Sequence, residues 1–133
     1  MIFVDSNIPM YVRGRAHPLK ATAQYLLEQA AVRGEILVTD AEVLQEIVHR
    51  YSAIRAMEEI NPTLKYLLRF VDRVFPVEQE DVLLAADFVT RGAAGSSRDA
   101  VHAAIMRRYG IERILSFDKD FDRWPGISRI GEI

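Results

Sequence analysis

The first seven residues, MIFVDSN (Met1–Asn7), place a short apolar run directly before three polar side chains. Similar apolar runs rich in β-branched residues recur along the chain, bounded by polar or turn-forming residues. We interpret them as short strands, since this composition and length are typical of strands. The five predicted strands are Met1–Val4, Ile36–Thr39, Arg73–Val77, Ile114–Phe117 and, as the weakest of them, Ile127–Ile130.

Between these runs, the apolar residues follow the spacing of amphipathic helices. The pattern is clear over Leu19–Ala30, Leu64–Val71 and Val82–Val89. Glycines stand where such helices should end, at Gly34, Gly92 and Gly110. Because strands that alternate with helices need crossover connections, the sequence predicts an α/β fold, with helices on both faces of a mostly parallel sheet.

The composition fits one globular domain, which we place over residues 1–133, with Arg50–Asn61 as a connector. The absence of cysteine excludes zinc-finger, iron–sulfur and thiol-nucleophile chemistry. The 17 Lys and Arg against 19 Asp and Glu give a net charge of −2, so any nucleic-acid contact should be local. No apolar run approaches the roughly 20 residues that span a bilayer, and no secretory signal is visible. We therefore expect a cytoplasmic protein that does not enter a membrane.

Acidic residues follow several of the predicted strands. In an open parallel sheet, ligands bind outside the carboxyl ends of the strands, where the next helices begin. We therefore expect these acidic groups to face one end of the sheet. They are Asp5-Ser6-Asn7, Thr39-Asp40-Ala41-Glu42 with Glu46 one turn further, Asp118-Lys119-Asp120-Phe121-Asp122, and Ser96-Ser97-Arg98-Asp99 at the start of the helix before the fourth strand.

Each acidic group also has a purely structural interpretation, because Asp, Ser and Thr commonly cap the first turn of a helix. Single caps are predicted at Asp5 and Asp118, and capping boxes would pair Thr39 with Glu42 and Ser96 with Asp99. Capping does not explain Glu46, which lies inside its helix on the face that should turn inward. An acid in such a place is seldom left unpaired.

Clustered carboxylates raise one another's pKa unless a cation compensates for their charge. A site that contains only oxygen ligands suits a hard divalent cation, Mg²⁺ or Mn²⁺. Magnesium usually keeps several waters and binds substrate phosphate as well. The pattern therefore favours phosphate-ester chemistry over a structural metal site.

Taken together, four segments resemble the PIN-domain ribonucleases, and more narrowly the VapC toxins of prokaryotic toxin–antitoxin pairs. The segments are Asp5-Ser6-Asn7, Val43-Leu44-Gln45-Glu46-Ile47, Arg98-Asp99-Ala100-Val101-His102-Ala103-Ala104 and Ser116-Phe117-Asp118-Lys119-Asp120-Phe121. The resemblance implies a three-layer α/β/α PIN-like fold with about five strands. By position, it implies that the catalytic, metal-binding acids are Asp5, Glu46, Asp99 and Asp118. It also implies supporting polar positions at Asn7 and Ser116, with Asp120 or Asp122 as a further carboxylate.

Glu42 competes with Glu46 for the position of the helical acid. We prefer Glu46 because the predicted capping box already uses Glu42, and because the residues around Glu46 match the family.

The resemblance further implies metal-dependent RNA cleavage, in which a metal-activated water leaves 5′-phosphate and 3′-hydroxyl ends. Members of the family usually form homodimers, and a cognate VapB-type antitoxin inhibits them through a segment that lies in a groove leading to the site. The apolar helix over residues 61–71 either contributes to such an interface or completes the core of the domain. Candidate RNA contacts are Arg13, Arg15, Arg91 and Arg98.

The chemistry requires no histidine base, because the metal can activate the water. We expect His17 at a helix start, His49 on the surface and His102 in packing, although His102 follows Asp99 by one helical turn.

A receiver domain would need an acid after the third strand, and a phosphatase of the Asp-x-Asp type would need one at Asn7. The remaining alternative is a PIN-like RNA- or protein-binding module without catalysis, against which the complete set of acids counts.

Overall fold

The computed structural model describes residues 1–133 and contains one sheet of five parallel strands. The spatial order is β3-β2-β1-β4-β5. This confirms the predicted parallel α/β fold, including its weakest strand. The strands are β1 (Ile2–Val4), β2 (Leu37–Asp40), β3 (Arg73–Phe75), β4 (Arg113–Leu115) and β5 (Ser128–Ile130).

Six helices flank the sheet and complete a three-layer α/β/α arrangement. They are α1 (Asn7–Arg13), α2 (Pro18–Val32), α3 (Ala41–Ala53), α4 (Ile60–Phe70), α5 (Gln79–Thr90) and α6 (Ser97–Arg108), with 3-10 turns at Met57–Glu59 and Lys119–Arg123. The connector predicted over Arg50–Asn61 is shorter than expected, because α3 continues to Ala53 and α4 begins at Ile60. None of the helices combines the length and apolar character that crossing a membrane requires.

Some of the helix ends follow the predicted local chemistry, but the N-cap of α1 is Ser6 and not Asp5. The Nδ1 atom of His17 accepts a hydrogen bond from the backbone N–H of Leu19 at 3.0 Å, which caps α2. The glycines predicted to end helices, Gly34, Gly92 and Gly110, have φ angles of 73°, 84° and 68°. Glycine adopts this left-handed backbone without steric cost. These three positions therefore end α2, α5 and α6 cleanly.

The central strands form the middle of a single cluster of buried apolar side chains. The apolar surface of α4 mostly completes this core: Leu67 is fully buried, and Tyr66 and Phe70 pack against the cluster. Leu68 remains 46% exposed. Of the two interpretations of this helix, completion of the core therefore accounts for most of its apolar residues.

The order of the strands creates a crevice between β1 and β4. From β1 the chain adds β2 and β3 on one side, and it later returns to add β4 and β5 on the other. Val4 lies opposite Leu115 where both strands end. Ligands bind at such a switch point in open parallel sheets, and the residues after both strands are those predicted to be functional.

We predict that Leu27→Ala lowers the free energy of unfolding by about 2–5 kcal/mol, because its side chain is fully buried in the core. Val32→Ala on the same helix is the matched control: Val32 is 80% exposed, and the change should cost less than about 0.5 kcal/mol. Urea unfolding followed by circular dichroism measures both. Equal losses would contradict the assignment of the core.

Candidate active site

A cavity of about 600 Å³ opens at the carboxyl end of the sheet. Most of its lining residues are polar, and they come from the residues after β1 and β4, from α3 and from the start of α6. The structure therefore brings together all four acids predicted as metal ligands, and Asp120 as well. The five acids that line the cavity are Asp5, Glu46, Asp99, Asp118 and Asp120.

Asp5 is buried at the centre of a hydrogen-bond network. Its Oδ1 accepts from the backbone N–H of Ser6 at 2.8 Å, and its Oδ2 accepts from Ser116 Oγ at 2.6 Å and from Asn7 Nδ2 at 3.3 Å. The Oδ1 of Asn7 also accepts from the backbone N–H of Phe117 at 3.2 Å. Asn7 and Ser116 thus lie beside Asp5, where the sequence placed them, and fix the orientation of its carboxylate.

Burial raises the pKa of Asp5 to about 6, although His102 and the hydrogen bond from Ser116 act in the opposite direction. The nearby Glu46 carboxylate raises this pKa further. The approach of a cation would favour the ionised form of this acid and lower its pKa.

Asp99, Asp118 and Asp120 form a second acidic group, in which one carboxylate oxygen of each lies within 4.8 Å of the others. Ser96 and Asp99 form the predicted capping box: the Oδ2 of Asp99 accepts from the backbone N–H of Ser96 at 2.9 Å, and Ser96 Oγ accepts from the backbone N–H of Asp99. Asp118 caps the following 3-10 turn. Burial raises the pKa of Asp99, and the charge of Asp118 adds to this shift. Asp99 and Asp118 therefore each cap a helix or turn and also belong to the acidic group.

The capping box predicted between Thr39 and Glu42 is wrong. Asp40 is the N-cap of α3 and accepts from the backbone N–H of Val43 at 2.8 Å, whereas the hydroxyl of Thr39 donates to the Val4 carbonyl at 2.9 Å. Thr39 is not the N-cap because α3 begins at Ala41, which makes Asp40 the residue directly before the helix. Glu42 is therefore not engaged in a capping box with Thr39.

The position of the two acids nevertheless separates them. Glu46 lines the acidic cavity, whereas Glu42 lines a different, mostly apolar cavity beside α5.

Of the three histidines, His102 has contacts beyond the packing role predicted for it. His17 caps α2 and His49 is exposed, as predicted. His102 is fully buried, but its ring also joins two carboxylates: Nδ1 lies 2.7 Å from Asp40 Oδ2, and Nε2 lies 2.5 Å from Glu46 Oε1. The available signal was its position one turn after Asp99 on the same helix.

The charges of these groups depend on one another. Burial alone would lower the pKa of His102, but the Asp40 and Glu46 carboxylates outweigh burial and hold that pKa well above its usual value. Burial would raise the pKa of Glu46, yet the hydrogen bond and the charge of His102 lower it. Asp40, His102 and Glu46 thus form a partly neutralised unit beside the other acids.

Of the four arginines predicted to contact RNA, only one lines the cavity. Arg98 lines the cavity, whereas Arg13 pairs with Glu59 at 3.5 Å and Arg91 pairs with Asp87 at 3.1 Å, outside it. Arg15 is exposed and does not line the cavity. Arg50, which was not among the predicted residues, lines the cavity one helical turn after Glu46.

Asp122, the alternative further carboxylate, lies outside the cavity. Arg129 donates to both of its oxygens, from Nε at 2.9 Å and from Nη2 at 3.1 Å. This pairing lowers the pKa of Asp122. The structure thus places Asp120, and not Asp122, beside Asp99 and Asp118.

Comparison with known proteins identifies the family. The PIN domain family model matches residues 2–127. The chain belongs to the PIN domain family. Its PIN domain is 53% identical to Ribonuclease VapC13 of Mycobacterium tuberculosis over 130 residues, which cover 98% of this chain and 99% of that protein. The resemblance inferred from the four sequence segments is confirmed.

Solved structures show the same fold. VapC20 of Mycobacterium tuberculosis matches this PIN domain with a TM-score of 0.77 at 24% identity, over 92% of this chain and 93% of that one. VapBC2 from Rickettsia felis matches with a TM-score of 0.75 at 17% identity, over the full length of both chains. The three-layer arrangement with five parallel strands is therefore the fold of PIN domains.

The donor set of the cavity fits a hard divalent cation. All five acids offer carboxylate oxygens, the ligands that Mg²⁺ and Mn²⁺ prefer. His102 also lies within 4.8 Å of Asp5 and Glu46, but both of its ring nitrogens face carboxylates. Oxygen ligands alone are therefore available to a cation.

We predict a pH-dependent effect of Asp5→Asn on the stability of the metal-free protein. In the wild type, the pKa of Asp5 rises from 3.8 to about 6 on folding. The wild type therefore loses stability as the pH rises from 4 towards 6, whereas the variant has no such proton to lose. Between pH 4.5 and 7.5, the stability difference should move in favour of the variant by about 2 kcal/mol.

Urea unfolding in the presence of a chelator, repeated across this pH range, measures the difference. Asp122→Asn is the control, because the hydrogen bond from Arg129 lowers the pKa of that acid and keeps it ionised across this range. A difference for Asp5→Asn that stays constant with pH would contradict the shifted pKa.

Proposed function

We propose that this PIN domain is a Mg²⁺- or Mn²⁺-dependent endoribonuclease in which Asp5, Glu46, Asp99 and Asp118 hold the metal and serve catalysis. The convergence of these acids in one cavity is the observation that carries the proposal. The relatives support it, since proteins 53% and 37% identical to this chain are both named ribonucleases. When bound there, a divalent cation would lower the pKa of a water and offset the charge of the phosphodiester.

The side chains around the acids prepare them for this role. Ser116 and Asn7 orient one oxygen of Asp5, and the backbone N–H of Ser96 orients one oxygen of Asp99. Each of these carboxylates has lone pairs left for a further ligand, because an ionised carboxylate accepts about four hydrogen bonds. In the hydrolysis, the water oxygen bonds to phosphorus and the P–O3′ bond breaks. The products are a 5′-phosphate and a 3′-hydroxyl.

RNA must approach a cavity whose acids repel phosphate. Arg98 and Arg50 both line this cavity, are exposed, and stand beside the acids. We assign them the contacts to the RNA backbone, because Arg binds phosphate through charge and paired hydrogen bonds. The net charge of −2 agrees with such a local contact and disfavours general coating of polyanions.

We further propose that the nuclease is a toxin, that a VapB-type antitoxin inhibits it, and that it works in the cytoplasm as a homodimer built from the single domain of residues 1–133. Three observations support this. The relatives carry VapC names. Structures of the same fold include VapBC2 bound to a DNA fragment from its promoter and a toxin–antitoxin complex from Klebsiella pneumoniae. Val82, Leu83 and Val89 leave α5 with exposed apolar side chains, which a second subunit can cover.

The nuclease assay uses purified protein, single-stranded RNA and added Mg²⁺ or Mn²⁺. We expect cleavage that stops with a chelator and falls about 100-fold in Glu46→Gln. Glu42→Gln, one turn away on the same helix, is the matched control and should retain activity within about threefold, because Glu42 lies outside the cavity.

Cleavage that persists without metal would overturn the chemistry. RNA binding without cleavage would favour the alternative, a binding module that lacks catalysis.

The proposed toxin role predicts that induced expression of the chain arrests bacterial growth. Asp99→Asn should abolish the arrest, because it removes one acid of the site, and an antitoxin encoded beside the gene should suppress it. Growth curves and immunoblots for equal expression measure this. Equal arrest by the wild type and Asp99→Asn would contradict this prediction, because the toxicity would then not depend on the proposed nuclease site.

A further inference from the structure

Glu46 is held in place by a chain of buried side chains that starts at Asp40. Asp40 ends β2 and caps α3 through its Oδ1, which accepts from the backbone N–H of Val43 at 2.8 Å. Its Oδ2 lies 2.7 Å from His102 Nδ1, and the Nε2 of the same ring lies 2.5 Å from Glu46 Oε1. One imidazole on α6 therefore joins the end of β2 to the middle of α3.

Because this arrangement is buried, the protein itself must satisfy the hydrogen bonds and charges of Asp40 and His102. The side chains of Asp40 and His102 are both 0% exposed, so water does not complete their hydrogen bonds. An ionised carboxylate can only accept hydrogen bonds, so each ring nitrogen that faces one acts as a donor. The ring therefore contributes a positive charge between two negative ones, and removing the ring leaves the buried Asp40 carboxylate without its countercharge.

A second contact completes the restraint on Glu46. Ser6 Oγ donates to Glu46 Oε2 at 2.8 Å, so both oxygens of this carboxylate are held, one from α6 and one from the residues after β1. Arg50 and Arg98 line the same cavity and would attract an unrestrained glutamate. The orientation of Glu46 towards Asp5 is thus maintained against competing cations.

We propose that His102 is a positioning residue that fixes the Glu46 carboxylate beside Asp5 and thereby sets the affinity of the cavity for a divalent cation. This inference rests on the proposed function, because it takes Glu46 as a ligand of that site. His102 is not itself a ligand, since both of its ring nitrogens are engaged by carboxylates. Hydrogen-bond partners of this kind commonly change metal affinity 10–100-fold when they are removed.

The competing explanation is that His102 only fills space. Its ring packs against Phe3, with 5.3 Å between the ring centroids. If packing were its whole role, an apolar side chain of similar size would replace it without effect on the site. His102→Leu therefore separates the two explanations, and His102→Gln tests rescue because its amide can still donate to Glu46.

The experiment measures Mn²⁺ binding to the purified, metal-free chain by titration calorimetry, with circular dichroism to establish folding. We expect His102→Leu to weaken binding about 10-fold or more, and His102→Gln to recover part of the loss. The double variant His102→Leu/Glu46→Gln should bind no more weakly than Glu46→Gln alone, because both changes remove the same contribution. His49→Leu, an exposed histidine on α3, is the control and should bind as the wild type does.

Folded His102→Leu with wild-type affinity, or additive losses in the double variant, would overturn the positioning role. If His102→Leu does not fold, Asp40→Asn/His102→Leu replaces it, since this variant leaves no unpaired buried acid at Asp40. If that variant also fails to fold, His102 is a structural residue and the inference falls. A wild-type chain that binds no Mn²⁺ contradicts the proposed function, whereas loss of the His102 effect alone contradicts only this inference.

Discussion

Repulsion among five carboxylates is the constraint that shapes this end of the molecule. The parallel sheet favours their convergence, because its strands end at one edge: Asp5, Asp118 and Asp120 follow β1 and β4, and α3 and α6 bring Glu46 and Asp99 to the same cavity. Burial raises the pKa of both Asp5 and Asp99, and the charges of Glu46 and Asp118 add smaller contributions to these shifts. The fold thus concentrates negative charge at the place where a phosphate must be processed, and the site depends on positive charge to work.

The protein offsets this repulsion in two ways before any ligand arrives. Hydrogen bonds from Ser6, Asn7 and Ser116 stabilise the carboxylate of Asp5, and the backbone N–H of Ser96 does the same for Asp99. His102 adds a buried positive charge, and it lies in contact with Glu46 but behind the cavity surface. The cavity therefore keeps its acids oriented while its open face remains available to a cation.

The sequence predicted those parts of the structure that depend on local patterns. Apolar runs and helical spacing located the strands, and the acids after them predicted the cavity because parallel strands share one end. The prediction failed where two neighbouring side chains could each occupy the same position. Thr39 and Asp40 are both good helix caps, and only the pairing of β2 with its neighbours decides that Asp40 occupies the position.

Contacts between segments that are far apart in the sequence could not be predicted either. His102 lies 62 residues from Asp40 and 56 from Glu46, so no local spacing could pair them. The partners of the arginines could not be predicted from their positions in the sequence either. Arg91 and Arg98 flank one loop, yet Arg91 pairs with Asp87 on its own helix while Arg98 faces the acids.

The weakest strand contributes to the site through one of these long-range contacts. Arg129 on β5 is 9% exposed, and its Nη1 donates to the carbonyl of Ser116 at 3.2 Å while Nε and Nη2 hold Asp122. The hydroxyl of Ser116 in turn donates to Asp5 at 2.6 Å. The edge strand thereby braces both the end of β4 and the turn that follows it. This explains why the acidic run after β4 gives the cavity only two of its three carboxylates: the charge of the third is neutralised by the arginine that holds the turn in place.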